Sequence, residues 1–294
     1  MNKEGFIGVG IMGKSMVRNL MKAGFELHIY ARTKSKVEDV IGEGAQFHES
    51  IKDCVQDCDA VITIVGFPQD VEEVYFDEGN ILDSAKEGAY LIDMTTTSPQ
   101  IAEKIYAEGT KRGFHVMDAP VTGGDTGAKA GTLSILVGGE KEDYEACMPL
   151  FEAMGTNINY QGKAGCGQHC KLANQIMIAG TLSGVCEALT YAKEQGLDPE
   201  VFMKSVATGA AGSKQLDTFG PKILKDDYAP GFFMKHFIKD MKLALIEANR
   251  KGLSLDVLSM VLANYEELEQ EGYGDLGTQA LMKFYDEEHR NTEE

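Results

Sequence analysis

"GFIGVGIMGKSMVRNL", residues Gly5 to Leu20, decides the fold. A short apolar run ends in Gly8-x-Gly10-x-x-Gly13, and an amphipathic helical pattern follows at once. Gly8 permits a tight turn, Gly10 lets a pyrophosphate approach the backbone, and Gly13 lets the helix pack closely on the strand. The N–H groups of Ile11, Met12 and Gly13, at the start of that helix, lack acceptors within it and face the anion. Glycines at this spacing mean little elsewhere. Between a strand and a helix they read as the phosphate turn of a dinucleotide-binding sheet.

Working outward, apolar runs at Gly5 to Gly10, Leu27 to Tyr30, Ala60 to Val65, Tyr90 to Asp93, Val116 to Ala119 and Leu133 to Val137 alternate with helical patterns. That alternation predicts a mainly parallel sheet covered on both faces. Past Ala164 the strands stop. The stretch from Gln168 to about Gln195 carries apolar residues at helical spacing without a proline, about 28 residues or ~42 Å of helix. Further helices are expected over Pro199 to about Thr208, Phe237 to about Lys251, Asp256 to about Gln270 and Thr278 to about His289, with turns at Gly220-Pro221 and Pro230-Gly231. Asp286 to Glu288, with Glu293 and Glu294, reads as a solvated tail. The fold class is α/β: a Rossmann-type doubly wound domain over residues 1–163, joined by a long helix to an all-helical domain over residues 164–294.

Composition narrows the function. The 294 residues carry a formal net charge of −18, with a pI near 4.8, and Lys and Arg are scattered. Such a surface repels phosphate backbones and anionic membranes, so neither nucleic acid nor membrane is an expected partner. No apolar run approaches the ~18 residues of a membrane helix and no signal-peptide core is present, so the expected location is cytoplasmic. Six cysteines without a C-x-x-C spacing predict buried reduced thiols and no metal site. An anionic substrate would need a sheltered local cation.

At the end of the second strand, where an NAD enzyme places an acidic residue on the ribose 2′-hydroxyl, stands Ala31, followed by Arg32, Thr33 and Lys34. A guanidinium there can hold a 2′-phosphate bidentately, which favours NADP(H) over NAD(H).

In order along the chain, "GFIGVGIMG", "VGFPQDVEEV", "IDMTTTSP", "DAPVTGG", "GCGQHCKLANQ" and "PGFFMKHFIKD" resemble the motifs of the β-hydroxyacid dehydrogenase family. That family includes 3-hydroxyisobutyrate dehydrogenase, tartronate semialdehyde reductase, glyoxylate/succinic semialdehyde reductases and, more distantly, 6-phosphogluconate dehydrogenase. The resemblance spans nearly the whole chain. It implies an oxidoreductase that moves a hydride between a nicotinamide and a small β-hydroxyacid or semialdehyde acid, as a homodimer or homotetramer. By the family pattern Lys171 is the catalytic acid/base, with Asn174 and Gln175 orienting amine and substrate. Thr122, Gly123 and Gly124 hold the substrate carboxylate, joined by Phe232 and Asp240. Phe67, Pro68, Thr95, Thr96 and Lys239 line the cofactor.

The chemistry suits these residue types. Negative charge builds on a carbonyl oxygen as it receives hydride, so a proton donor beside it stabilises the transition state. In the oxidative direction the lysine must be neutral, which burial and a helix start both favour. Two departures stand out. Thr122 replaces the more frequent serine, and Gln175 sits where many relatives carry asparagine, with Asn174 one residue earlier. An imine reductase of the same architecture is the alternative enzyme, although Lys171 speaks against it; a non-catalytic NADPH-binding sensor is the alternative of another class.

Overall fold

The computed structural model describes residues 1–285. The chain divides into one compact unit, Met1–Lys171, and a second that begins at Leu172.

The first unit is built on nine strands: β1 (Lys3–Ile7), β2 (Glu26–Tyr30), β3 (Gln46–Phe47), β4 (Ala60–Thr63), β5 (Tyr90–Asp93), β6 (His115–Asp118), β7 (Val121–Thr122), β8 (Leu133–Gly138) and β9 (Gly155–Gly162). Their order in the sheet is β3-β2-β1-β4-β5-β6-β8-β7, with β9 pairing β8. From β3 to β6 every pairing is parallel, the arrangement of a doubly wound nucleotide-binding sheet, and the antiparallel β8 extends it. Strands such as β4, Ala-Val-Ile-Thr, are buried on both faces, because helices cover both. One core contains Phe6, Met16, Leu20, Ile29, Ile62 and Phe151; the other, on the opposite face, contains Ile7, Val61, Tyr75, Leu91 and Val116.

Several expectations are corrected here. β1 runs over Lys3–Ile7 and not Gly5–Gly10: Gly8 adopts φ +97 and leaves the strand, while the pairing extends back to Lys3 and the buried Glu4. The strand β9 shows only a brief alternation, Ile158 and Tyr160 between Asn157, Asn159 and Gln161, and is not among the expected strands. It is an edge strand with mostly exposed side chains, held by backbone bonding to β8. Strands β3 and β7, of two residues each, are too short to carry a pattern.

The second unit is helical. The long helix spans Cys166–Glu194, and its later turns pack with the helices Pro199–Val206, Lys214–Ile223, Met234–Arg250 and Asp256–Gln270 around Leu182, Leu189, Phe237, Met241, Val261 and Tyr265. Gly220-Pro221 is not a turn. Pro221 lies inside Lys214–Ile223, close enough to its C-terminal end that only one turn of hydrogen bonding follows. Thr278–Tyr285 is a 3₁₀ helix, and the rest of the helix expected there, with the acidic tail, lies outside the described residues. With mean hydropathy 1.2 over 18 residues, Cys166–Glu194 is, contrary to expectation, long and apolar enough to cross a membrane by composition. Small Ala, Gly, Ser and Thr residues dilute its apolar pattern, and 44% of that window is buried inside the protein.

Candidate active site

Every nucleotide-site residue expected in the first unit falls at the carboxyl ends of its parallel strands, where doubly wound sheets bind ligands. Gly8 to Gly13 follow β1, Ala31 to Thr33 follow β2, Phe67 and Pro68 follow β4, and Thr95 and Thr96 follow β5; the expected substrate residues Thr122 to Gly124 lie beyond β6, at and after β7.

The glycine turn has the geometry its sequence implies. A Cβ on Gly8 would meet the Ile64 carbonyl oxygen at 2.1 Å, and one on Gly13 would meet the Gly8 carbonyl oxygen at 2.2 Å. At Gly10 nothing lies within 4 Å of that position. Gly10 caps the helix Ile11–Lys22 in an extended conformation without a side-chain bond, and no acidic residue stands in the first turn. An open, uncapped helix start fits a pyrophosphate.

After β2, Arg32 is exposed, and its guanidinium pairs with Asp70, with Glu73 at 3.9 Å. Asp70 also accepts a bond from the Phe67 N–H at 2.9 Å, which caps the helix Pro68–Phe76. Nothing in the expectation for Arg32 anticipated Asp70. Its signal was present in "FPQD", a helix start with proline in its first turn and a carboxylate two residues later.

The loop after β5 is tied to the long helix. Gln168, fully buried, accepts from the Thr97 N–H at 2.9 Å and donates from Nε2 to the Thr95 carbonyl at 2.7 Å. Asp118, at the end of β6, accepts from the N–H groups of Gly165 (2.7 Å) and Gln168 (2.8 Å). Its carboxylate therefore occupies the N-terminus of the long helix. A Cβ on Gly167 would strike the Leu136 carbonyl oxygen at 2.4 Å, so this turn sits hard against the sheet. Burial raises the Asp118 carboxyl, against the opposing effect of those two N–H donors. Burial also pushes Asp93, its neighbour in register on β5, up to about 6, against hydrogen bonds from Thr95 and Thr63. Sequence reading passed over Gln168 and assigned no separate task to Asp118.

One residue beyond Cys170, Lys171 is 7% exposed. Burial raises the Cys170 thiol, which opposes the thiolate that a reactive cysteine needs. Gly123 and Gly124 have φ +131 and +63, a conformation that side chains rarely adopt. Thr122 is half-buried and pairs in register with Ser134 of β8.

In the second unit four predicted residues form one chain. Asn174 donates to the Gln175 Oε1 at 2.8 Å, Gln175 donates from Nε2 to the Asp240 Oδ2 at 2.7 Å, and Lys239 lies 2.9 Å from the Asp240 Oδ1. Gln175 and Asp240 are buried; Asn174 and Lys239 are half-buried. Phe232 stacks on His236 and meets Phe237 edge-on.

The chain matches the family described as the NAD binding domain of 6-phosphogluconate dehydrogenase over residues 3–162. Over residues 165–285 it matches that described as NAD-binding of NADP-dependent 3-hydroxyisobutyrate dehydrogenase. An uncharacterized oxidoreductase of Bacillus subtilis is 50% identical, the match covering 96% of this chain and 98% of that one. The NAD-dependent L-serine dehydrogenase of Pseudomonas aeruginosa is 34% identical over 97% of this chain and 98% of its own. The structure of Mycobacterium tuberculosis 3-hydroxyisobutyrate dehydrogenase with L-serine has a TM-score of 0.88 at 26% identity, covering 96% of this chain and 98% of that one. A nucleotide-binding sheet with an open glycine turn, a helical second unit and these relatives lead to one statement: the chain belongs to the β-hydroxyacid dehydrogenase family of NAD(P)-dependent oxidoreductases.

Proposed function

We propose that the chain interconverts a small β-hydroxyacid and its semialdehyde or keto form with NADP(H), and that Lys171 gives and takes the proton. The observation that carries this reading is the buried lysine at the start of a helix anchored to the nucleotide-binding sheet by Asp118 and Gln168. The nicotinamide, when bound, supplies or accepts the hydride. Everything else falls to the chain. Reduction puts negative charge on the carbonyl oxygen, and the Lys171 ammonium neutralises it by proton transfer. Oxidation reverses this, with the neutral amine accepting the hydroxyl proton. Thr122 and the N–H groups at Gly123 and Gly124 hold the substrate carboxylate, and the positive φ of both glycines supports that role.

Of the two amides, Asn174 is the one assigned to substrate. Gln175 has committed its oxygen to Asn174 and its nitrogen to Asp240, which makes it a brace. Asp240 and Lys239 then set the orientation of that brace from the helix Met234–Arg250. The absence of a carboxylate at position 31 and the presence of Arg32 support NADP(H). Exposed Met177, Val257 and Met260 on the helical unit support self-association through that unit.

The test is Lys171→Ala. Turnover with NADPH and a panel of small semialdehydes, glyoxylate included, falls about 10²- to 10⁴-fold, while NADPH still binds. Near-normal turnover would remove Lys171 as the acid.

A further inference from the structure

We propose that Asp70 is a specificity-determining residue that competes with the cofactor's 2′-phosphate for Arg32 and so holds down the preference for NADP(H). The inference rests on the reading that the adenosine ribose lies at the end of β2, beside Ala31 and Arg32.

Arg32 is the guanidinium placed to grip a 2′-phosphate, but it is already engaged. Asp70 contacts it directly, and Glu73 stands 3.9 Å away, so the cation faces two carboxylates. The neighbouring cation on the same loop, Lys34, is likewise paired, with Glu49 at 3.3 Å. Asp70 is not a casual surface partner. Its side chain is 18% exposed, and its other oxygen is fixed by the Phe67 N–H at 2.9 Å. Arg32, at 62% exposure, is the solvent-facing member of the pair. A phosphate dianion must therefore draw Arg32 off Asp70, or share a guanidinium already partly neutralised by that carboxylate. A 2′-hydroxyl carries no charge and meets neither obstacle. The pair thus narrows the gap between the two nucleotides that Arg32 alone would open.

Equilibrium dissociation constants for NADPH and NADH, measured by calorimetry on the full chain, test this without reference to turnover. Asp70→Asn keeps an acceptor for the Phe67 N–H and removes the charge. Asp70→Ser removes the charge and is too short to reach Arg32, at the cost of the bond from the Phe67 N–H. Both should tighten NADPH by about 5- to 10-fold, the scale of a partly sheltered charge pair, and leave NADH within about two-fold. Glu73→Gln should do the same more weakly. In the Arg32→Ala background the gain should vanish. An unchanged NADPH to NADH ratio in both Asp70 variants, or a gain that persists without Arg32, overturns the proposal. Arg32→Ala by itself separates the two levels: if it leaves selectivity untouched, the placement of the ribose fails, whereas if it alone shifts selectivity, only the role of Asp70 fails.

Discussion

Two helices begin at a Gly-x-Gly, and they use their N-termini in opposite ways. The helix Ile11–Lys22 starts at Gly10 with no side-chain cap, no acidic residue in its first turn and open space before it. The helix Cys166–Glu194 starts beside Gly165 and Gly167 with the carboxylate of Asp118 already bonded to two of its N–H groups. Both are sites for an anion. The first is left for a ligand; the second is filled by the protein. One is open, and the other is anchored through Gly165 and Gln168, a turn before the buried Lys171.

The comparison breaks most visibly if the first helix is filled as the second is. Gly10→Asp places a carboxylate at a position where a Cβ meets no atom within 4 Å, and the backbone there, φ −85, suits an ordinary residue. Capping should leave the unliganded protein as stable or more so, by ~0.5 kcal/mol. Opposed charge should weaken both nicotinamide nucleotides by about 100-fold or more. Calorimetry and thermal melting on the same sample check both signs at once. Unimpaired nucleotide binding would mean that the turn after β1 is not the phosphate site.

A buried carboxylate without a helix start to hold it sharpens the contrast. Glu4, fully buried in β1, has its carboxyl pushed up from 4.5 to about 7, by burial first and by Asp59 second. The folded state thus holds a proton between about pH 4.5 and 7 that the unfolded chain has lost. Its contribution is fully present below that window and is lost as pH rises through it. Glu4→Gln should flatten this part of the profile, so that urea unfolding finds the variant about 2 kcal/mol more stable than the parent at pH 8 and little different at pH 4.5. A variant less stable at pH 8 would show that the ionised carboxylate is well accommodated.

What could be read from the chain divides along the same line. The turn Gly8 to Gly13 is local, and its spacing specifies its shape, so the strand, tight turn and helix expected there are the ones observed. The helix Asp256–Gln270 likewise coincided with its apolar period. Asp118 is 47 residues from Gly165 and 50 from Gln168, and no local pattern shows that its carboxylate turns toward a helix that far along the chain. Asp70 and Arg32 are 38 apart and escaped for the same reason. Strand β9 and the buried Glu4 were lost to a different cause. Reading by hydrophobicity misses a strand with only two apolar side chains, Ile158 and Tyr160, and discounts a charged residue inside a core.

The smallest expected effect tests whether the anchored helix start matters to catalysis or only to folding. Gln168→Leu removes two bonds to the loop after β5 and strands the Thr97 N–H and the Thr95 carbonyl, at a cost of about 2 kcal/mol in stability. If the brace positions Lys171, kcat should fall about 10-fold with little change in the NADPH dissociation constant, because the phosphate turn is untouched. Gln168→Glu gives a readout that a purely structural role would not move. Its ionised form cannot donate to the Thr95 carbonyl, but its protonated form can, so the activity of this variant relative to the parent should recover as pH falls. A leucine variant that melts earlier yet turns over at the parental rate would reduce Gln168 to a fold-stabilising residue, and the two helix starts would then differ in occupancy but not in their bearing on the chemistry.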